Sequence, residues 1–176
     1  MKYLNLVIFV IVFNQTQAQK PDKYAACCGA EPIEYLHSDM SIYVPNVFTP
    51  NKDGINDLFY PFISGKVVEI IDFTVFTDVG DTVLFYRPTV VYSNLENYGW
   101  DGMRKDGLPY IGAFKYSLIM VNRQGDTRVL TGRACRIECG ADADEIKQKS
   151  GCYFPEQAGP DGKVDRTKGN KEKKCE

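Results

Sequence analysis

Between Phe114 and Met120 the side chains alternate. Phe114, Tyr116, Leu118 and Met120 take one parity, and Lys115, Ser117 and Ile119 take the other. Successive strand residues point to opposite faces, so a period of two marks a strand with one face in a core. Val67 to Phe76 repeats the pattern, with Ile71, Phe73 and Val75 set against Asp72 and Thr74. Asp78-Val79-Gly80-Asp81 can turn the chain, and Thr82 to Arg87 then returns as the second arm of a hairpin. Ser41 to Val47 is short, aromatic and β-branched, and Pro45 marks it as a sheet edge or a strand end. Arg128 to Leu130 and Arg133 to Cys139 complete the set. Turn chemistry separates these runs at Thr49 to Gly54 and at Asn122 to Asp126. No stretch of ten or more residues between 41 and 139 has helical periodicity. Seven or so short strands over about 100 residues imply an all-β fold, a β-sandwich.

The chain opens on an address. Lys2 is followed by the apolar stretch Leu4 to Phe13, and Asn14 to Ala18 then turns polar and ends on a small residue. This is the layout of a secretory signal peptide, with cleavage expected after Ala18. Ten residues are too few to span a bilayer of about 30 Å as a helix. The mature protein is therefore expected to lack a transmembrane span and to be secreted or held at the cell surface. The expected segments are 1–18 as signal peptide, 19–40 as an N-terminal segment, 41–139 as the sandwich and 140–176 as a charged extension.

Export changes how the cysteines read. Cys27, Cys28, Cys135, Cys139, Cys152 and Cys175 are even in number, which in an exported protein points to disulfides. Six cysteines allow fifteen pairings, so connectivity stays open. Adjacent Cys27 and Cys28 are expected to take two different partners. From Gly140 the composition shifts: eight acidic and eight basic side chains accompany only two aromatics, Tyr153 and Phe154. Such a segment has little apolar area to offset its ordering entropy, so a flexible cysteine-containing tail is expected, mobile from Gly159 unless Cys175 ties it down.

The stretch Ile42-Tyr43-Val44-Pro45-Asn46-Val47-Phe48-Thr49-Pro50-Asn51-Lys52-Asp53-Gly54-Ile55-Asn56-Asp57-Leu58-Phe59 resembles the opening signature of the gliding-motility-associated C-terminal domain. That family is the type B sorting domain of the type IX secretion system of Bacteroidetes. Further motifs follow in order: Trp100-Asp101-Gly102, Gly112-x-Phe114-x-Tyr116, Gly125, and Gly132 ahead of a last strand. The resemblance covers about residues 41 to 139. It implies an immunoglobulin-like antiparallel β-sandwich that marks proteins for outer-membrane export and surface attachment through protein–protein recognition. Its implied partners are the type IX or outer-membrane surface machinery. Two departures stand out. Thr77-Asp78-Val79-Gly80 replaces the family's Asn-Arg-Trp-Gly, and 37 residues follow Cys139 where the family domain usually ends. The family domain also usually trails a large cargo, and only about 22 mature residues precede Ser41. Two readings stay open: a sorting domain without cargo, or the same sandwich reused as a surface binding module or adhesin.

One constellation offers site chemistry. Asn51, Asp53, Asn56 and Asp57 place oxygen donors around Gly54, as a calcium loop requires. The alternative is an Asx-turn loop whose side chains bond its own backbone. Set against an EF-hand, the loop lacks both the anchoring Asp and the bidentate Glu. No cofactor other than calcium is suggested. Trp100 reads either as core or as an exposed sugar platform. Catalysis is disfavoured. His37 is the only histidine and reads as a loop residue, and nucleophile elbow, phosphate loop and His-Glu-x-x-His motifs are all missing. A net charge of −2 argues against a nucleic-acid footprint.

Overall fold

The structure is a computed structural model that describes residues 24, 26–29, 33–37, 40–91, 96–138, 146 and 149–169. The expected signal peptide, Cys139 and Cys175 lie outside the described residues. Among the described residues there are eight strands: β1 (Ile33–His37), β2 (Met40–Val44), β3 (Val47–Phe48), β4 (Phe62–Ile63), β5 (Val67–Thr77), β6 (Val83–Val91), β7 (Gly112–Asn122) and β8 (Thr127–Arg136). They form a three-stranded sheet, β1-β2-β4, and a five-stranded sheet, β3-β8-β7-β5-β6. All pairings are antiparallel except β3 with β8, which is parallel. The fold is thus all-β and compatible with a sandwich. Among the described residues no helix is long and apolar enough to cross a membrane.

Pro45 and Asn46 divide what would be one long strand. β2 belongs to the first sheet and β3, two residues later, to the second. Proline has no N–H to continue a ladder and a fixed φ, so the chain leaves one sheet there and joins the other. The first sheet also begins earlier than the sandwich boundary expected at 41. β1 pairs along its whole length with β2, and His37 closes that strand rather than sitting in a loop.

β7 follows its alternation without a break, with every second residue from Gly112 to Asn122 buried. β5 does not. Its buried apolar side chains are Val67, Ile70, Phe73 and Val75, Thr74 is buried beside them, and the expected core residue Ile71 lies only half-buried. The pairing with β7 shifts between Val67 and Glu69 and again between Ile71 and Thr74, each time by one extra β5 residue. Asp72, at φ 54°, carries the second bulge. A bulge inserts one unpaired residue and flips the parity beyond it, so a strict count of two along β5 misassigns the residues between the two bulges, Glu69 to Ile71, and is right again for Val67. The two short strands expected over 128–130 and 133–139 are one strand, β8, and Gly132 lies inside it opposite Tyr116.

The main core fills the space between the sheets. Phe48, Phe59, Phe73, Trp100, Phe114 and Tyr116 form its aromatic centre, each 2% exposed or less. Phe59 meets Phe114 edge-on at 4.8 Å, and Trp100 meets the same ring edge-on at 5.0 Å. Edge-to-face rings add to the area they bury.

A second, smaller cluster lies around β3 and the end of β8. It contains Tyr24, Cys27, Val47, Cys135, Ile137, Ile146 and Phe154. Two disulfides assemble it: Cys27 to Cys135, and Cys28 to Cys152. The adjacent cysteines do take different partners, one on β8 and one in the C-terminal extension. None of the described cysteines is free.

The expectation of a loose extension does not hold over 149–169. Phe154 is 1% exposed, and its carbonyl accepts the Tyr43 hydroxyl at 3.0 Å. Short 3-10 turns at Pro155–Gln157 and Pro160–Gly162 continue the path. Glu34 accepts the Val164 N–H at 3.0 Å and pairs with Arg166 at 3.0 Å. The segment has few apolar residues, but it buries one large ring, carries a disulfide and satisfies its backbone against the sandwich. Composition misses this because the contacts belong to partners more than 100 residues away.

Candidate functional site

The motif loop after β3 is built on one carboxylate. Asp57 Oδ1 accepts the N–H of Asn51 at 2.8 Å and of Lys52 at 2.7 Å, and Oδ2 accepts that of Gly54 at 2.8 Å. Asn51 Oδ1 takes the Asp53 N–H at 3.0 Å, and Asp53 Oδ1 takes the Ile55 N–H at 2.8 Å. These are Asx turns, in which a short polar side chain mimics the backbone two residues away. The Thr49 N–H donates to the Asn56 carbonyl at 2.9 Å and closes the base. The sequence-derived ligand set therefore does converge in one loop, but Asn51, Asp53 and Asp57 turn oxygens to the loop's own N–H groups and Asn56 turns its oxygen to Glu156. Among the described residues no group of three His, Cys, Asp or Glu side chains could hold a metal ion.

Two motif asparagines have a different task. Asn46 Oδ1 accepts the Tyr153 N–H at 2.7 Å, and its Nδ2 donates to the Gly151 carbonyl at 2.7 Å. The backbone N–H groups of Asn46 and Val47 both donate to the Tyr153 carbonyl, at 3.1 and 3.3 Å. Asn56, 5% exposed, accepts the Glu156 N–H at 2.9 Å. Asn46 and Asn56 thus dock the extension onto the motif. Gly162, missed by the sequence reading, brings the extension's backbone close to the backbone after β4. It has φ 62°, and a Cβ there would lie 2.7 Å from backbone atoms of Ile63 and Ser64.

Trp100-Asp101-Gly102 is structural. Trp100 is 1% exposed, so it is no sugar platform, and its Nε1 donates to the Met103 carbonyl at 2.8 Å. Asp101 accepts the Met103 N–H at 3.0 Å and makes the turn. Gly102, at φ 80°, leaves room for Arg136, whose Nε would stand 2.6 Å from a Cβ placed there. Arg136 is 7% exposed and its Nε and Nη1 have no partner among the described residues. Burial lowers its pKa, while the charges of Glu138, Tyr24 and Asp101 act the other way. Gly112 is buried on β7 opposite Arg136, and Tyr116 is buried in the core.

A groove of about 420 Å³ opens between the motif loop and the extension. Tyr60 and Phe62 line it, with ring centroids 4.6 Å apart. Asp57, Glu96 and Glu156 contribute acid groups, and Lys168 contributes one cation. Desolvation, then the charges of Glu96 and Glu156, push the Tyr60 hydroxyl up to about 12. No family model matches this chain, and no curated protein matches it either.

Proposed function

We propose that this chain is a non-catalytic exported protein that acts by protein–protein recognition, as a type IX sorting-like domain in outer-membrane export and surface attachment. The ordered motif loop carries the proposal. A loop internally bonded through Asp57 is presented at the surface with little left to lose on binding, which is what a recognition element requires. The two disulfides support the exported location, because such bonds persist in oxidising compartments. The test is a fusion of the full chain to a fluorescent reporter in a host with a type IX system. The reporter should reach the cell surface with the full chain and stop in the periplasm when residues 41 to 176 are deleted. Surface display of the truncated fusion would refute the sorting role.

One observation favours a second reading, a stand-alone surface module or adhesin. The extension occupies Asn46 and Asn56 of the motif, so a reader of those side chains would meet residues 151–156 first. On that reading the intact chain reaches the surface but does not carry a fused reporter with it.

A further inference from the structure

We infer that the groove between the motif loop and the extension receives the cationic side chain, arginine above all, of an extended partner segment. The groove exists only because the extension docks: Pro155, Glu156, Ala158 and Lys168 form one wall, while Asp57, Leu58, Tyr60 and Phe62 stand opposite. Its aromatic surface is the tilted pair of Tyr60 and Phe62, and Phe62 is stacked in turn on Tyr43 at 5.8 Å. An aromatic face held in this way attracts a cation through its quadrupole, and a planar guanidinium stacks on it best.

The charges have the matching sign. Glu96 and Glu156 line the groove with Tyr60, and their charges raise its hydroxyl pKa. Asp57 adds a third negative charge, although its oxygens are bonded to the loop. Among the described residues of the lining, three carboxylates stand against one cation, Lys168, which donates to the Ala158 carbonyl at 2.7 Å. An arginine could stack on Tyr60 while its N–H groups reach the carboxylates. A neutral ligand would gain the stacking alone. The inference deepens the recognition reading at the same site, and its test is independent of export.

The full mature chain is titrated by calorimetry with a capped peptide, Ala-Ala-Arg-Ala-Ala, and with the same peptide carrying citrulline, which keeps the shape and removes the charge. The arginine peptide should bind at least about tenfold tighter at low salt, and this margin should shrink as salt screens the carboxylates. The double variant Glu96→Gln, Glu156→Gln should lose that margin while keeping the parent chain's β-sheet circular dichroism. Equal affinity for the two peptides, or full affinity in the double variant, would overturn the inference. A third arm neutralises the chain's own cations with Lys171→Gln, Lys173→Gln and Lys174→Gln. Arginine-peptide binding that emerges only in this variant would make those lysines the occupant and would also overturn it. A failed peptide titration beside a successful reporter export would remove the groove's role and leave the sorting reading standing.

Discussion

Asp57 is the residue on which the motif loop depends. It accepts three backbone N–H groups, whereas Asp53 accepts one. Hydrogen bonds to charged groups contribute about 1.5–3 kcal/mol each at best, and exposure to water reduces this. Asp57→Ala should therefore cost about 1–3 kcal/mol in urea unfolding, and Asp53→Ala less than half of that. Because these oxygens already serve the loop, the melting temperature should be the same in millimolar calcium and in chelator. A rise with calcium that Asp53→Ala abolishes would instead show that the loop binds the ion. The tyrosines set a second residue-scale expectation. Burial raises the pKa of Tyr43 and Tyr116, and burial with Glu96 and Glu156 raises Tyr60 to about 12 from 10.0. A raised folded pKa gives stability that is intact below the unfolded value and lost as pH climbs through the folded one. Stability should thus fall from about pH 10 upward, by at most about 1.4 kcal/mol per pH unit for each tyrosine. Tyr60→Phe should flatten the decline between pH 10 and 12, by less than a full tyrosine's share because solvent screens a group in an open groove. An unchanged slope would show that Tyr60 titrates normally.

Among the elements, the extension is the one whose stability can be separated from the rest. It is held at its start by Cys28–Cys152, at its middle by Phe154 and Asn46, and at its far turn by Gly162 and Ser41, whose hydroxyl donates to the Asp161 carbonyl. Gly162→Ala places a methyl group against the backbone of Ile63 and Ser64 at a positive φ, so the last turn must lift away. Overlap of this kind costs about 1–3 kcal/mol. Amide exchange should quicken about tenfold or more across 155–168. The β7 amides near Tyr116 and Leu118 should keep their protection. Equal loosening of β7 would mean that the extension and the sandwich unfold as one unit.

The whole molecule is a sandwich with a second core stitched to its side. The main core takes its aromatic centre from residues 48 to 116, with Ile33, Tyr35 and Met40 added by the N-terminal segment. The side core needs both: Tyr24 and Cys27 arrive from the N-terminal segment, Ile146 and Phe154 from the extension, and Val47, Cys135 and Ile137 from the sheet. The groove proposed for a cationic side chain belongs to this larger assembly, because one of its walls is the extension. A variant that releases the extension should therefore lose the groove while retaining the sandwich.

What could be read from the sequence was local. The parity of β7, the Asx turn at Asn51 to Asp57 and the break at Pro45 each depend on a few neighbouring residues, whose side-chain direction or backbone preference acts wherever they sit. The even number of cysteines and the different partners for Cys27 and Cys28 were legible for the same reason. The parity of β5 was not, because its bulges are set by the register against β7 rather than by its own pattern. Nor was the docking of the extension. Asn46 with Tyr153, Tyr43 with Phe154 and Asn56 with Glu156 are separated by 100 residues or more. Charged composition predicts mobility only when no partner surface exists, and the sandwich supplies that surface. Only the tertiary structure brings motif loop and extension together, and with them the groove, because no local pattern records which distant backbone will satisfy a segment's hydrogen bonds.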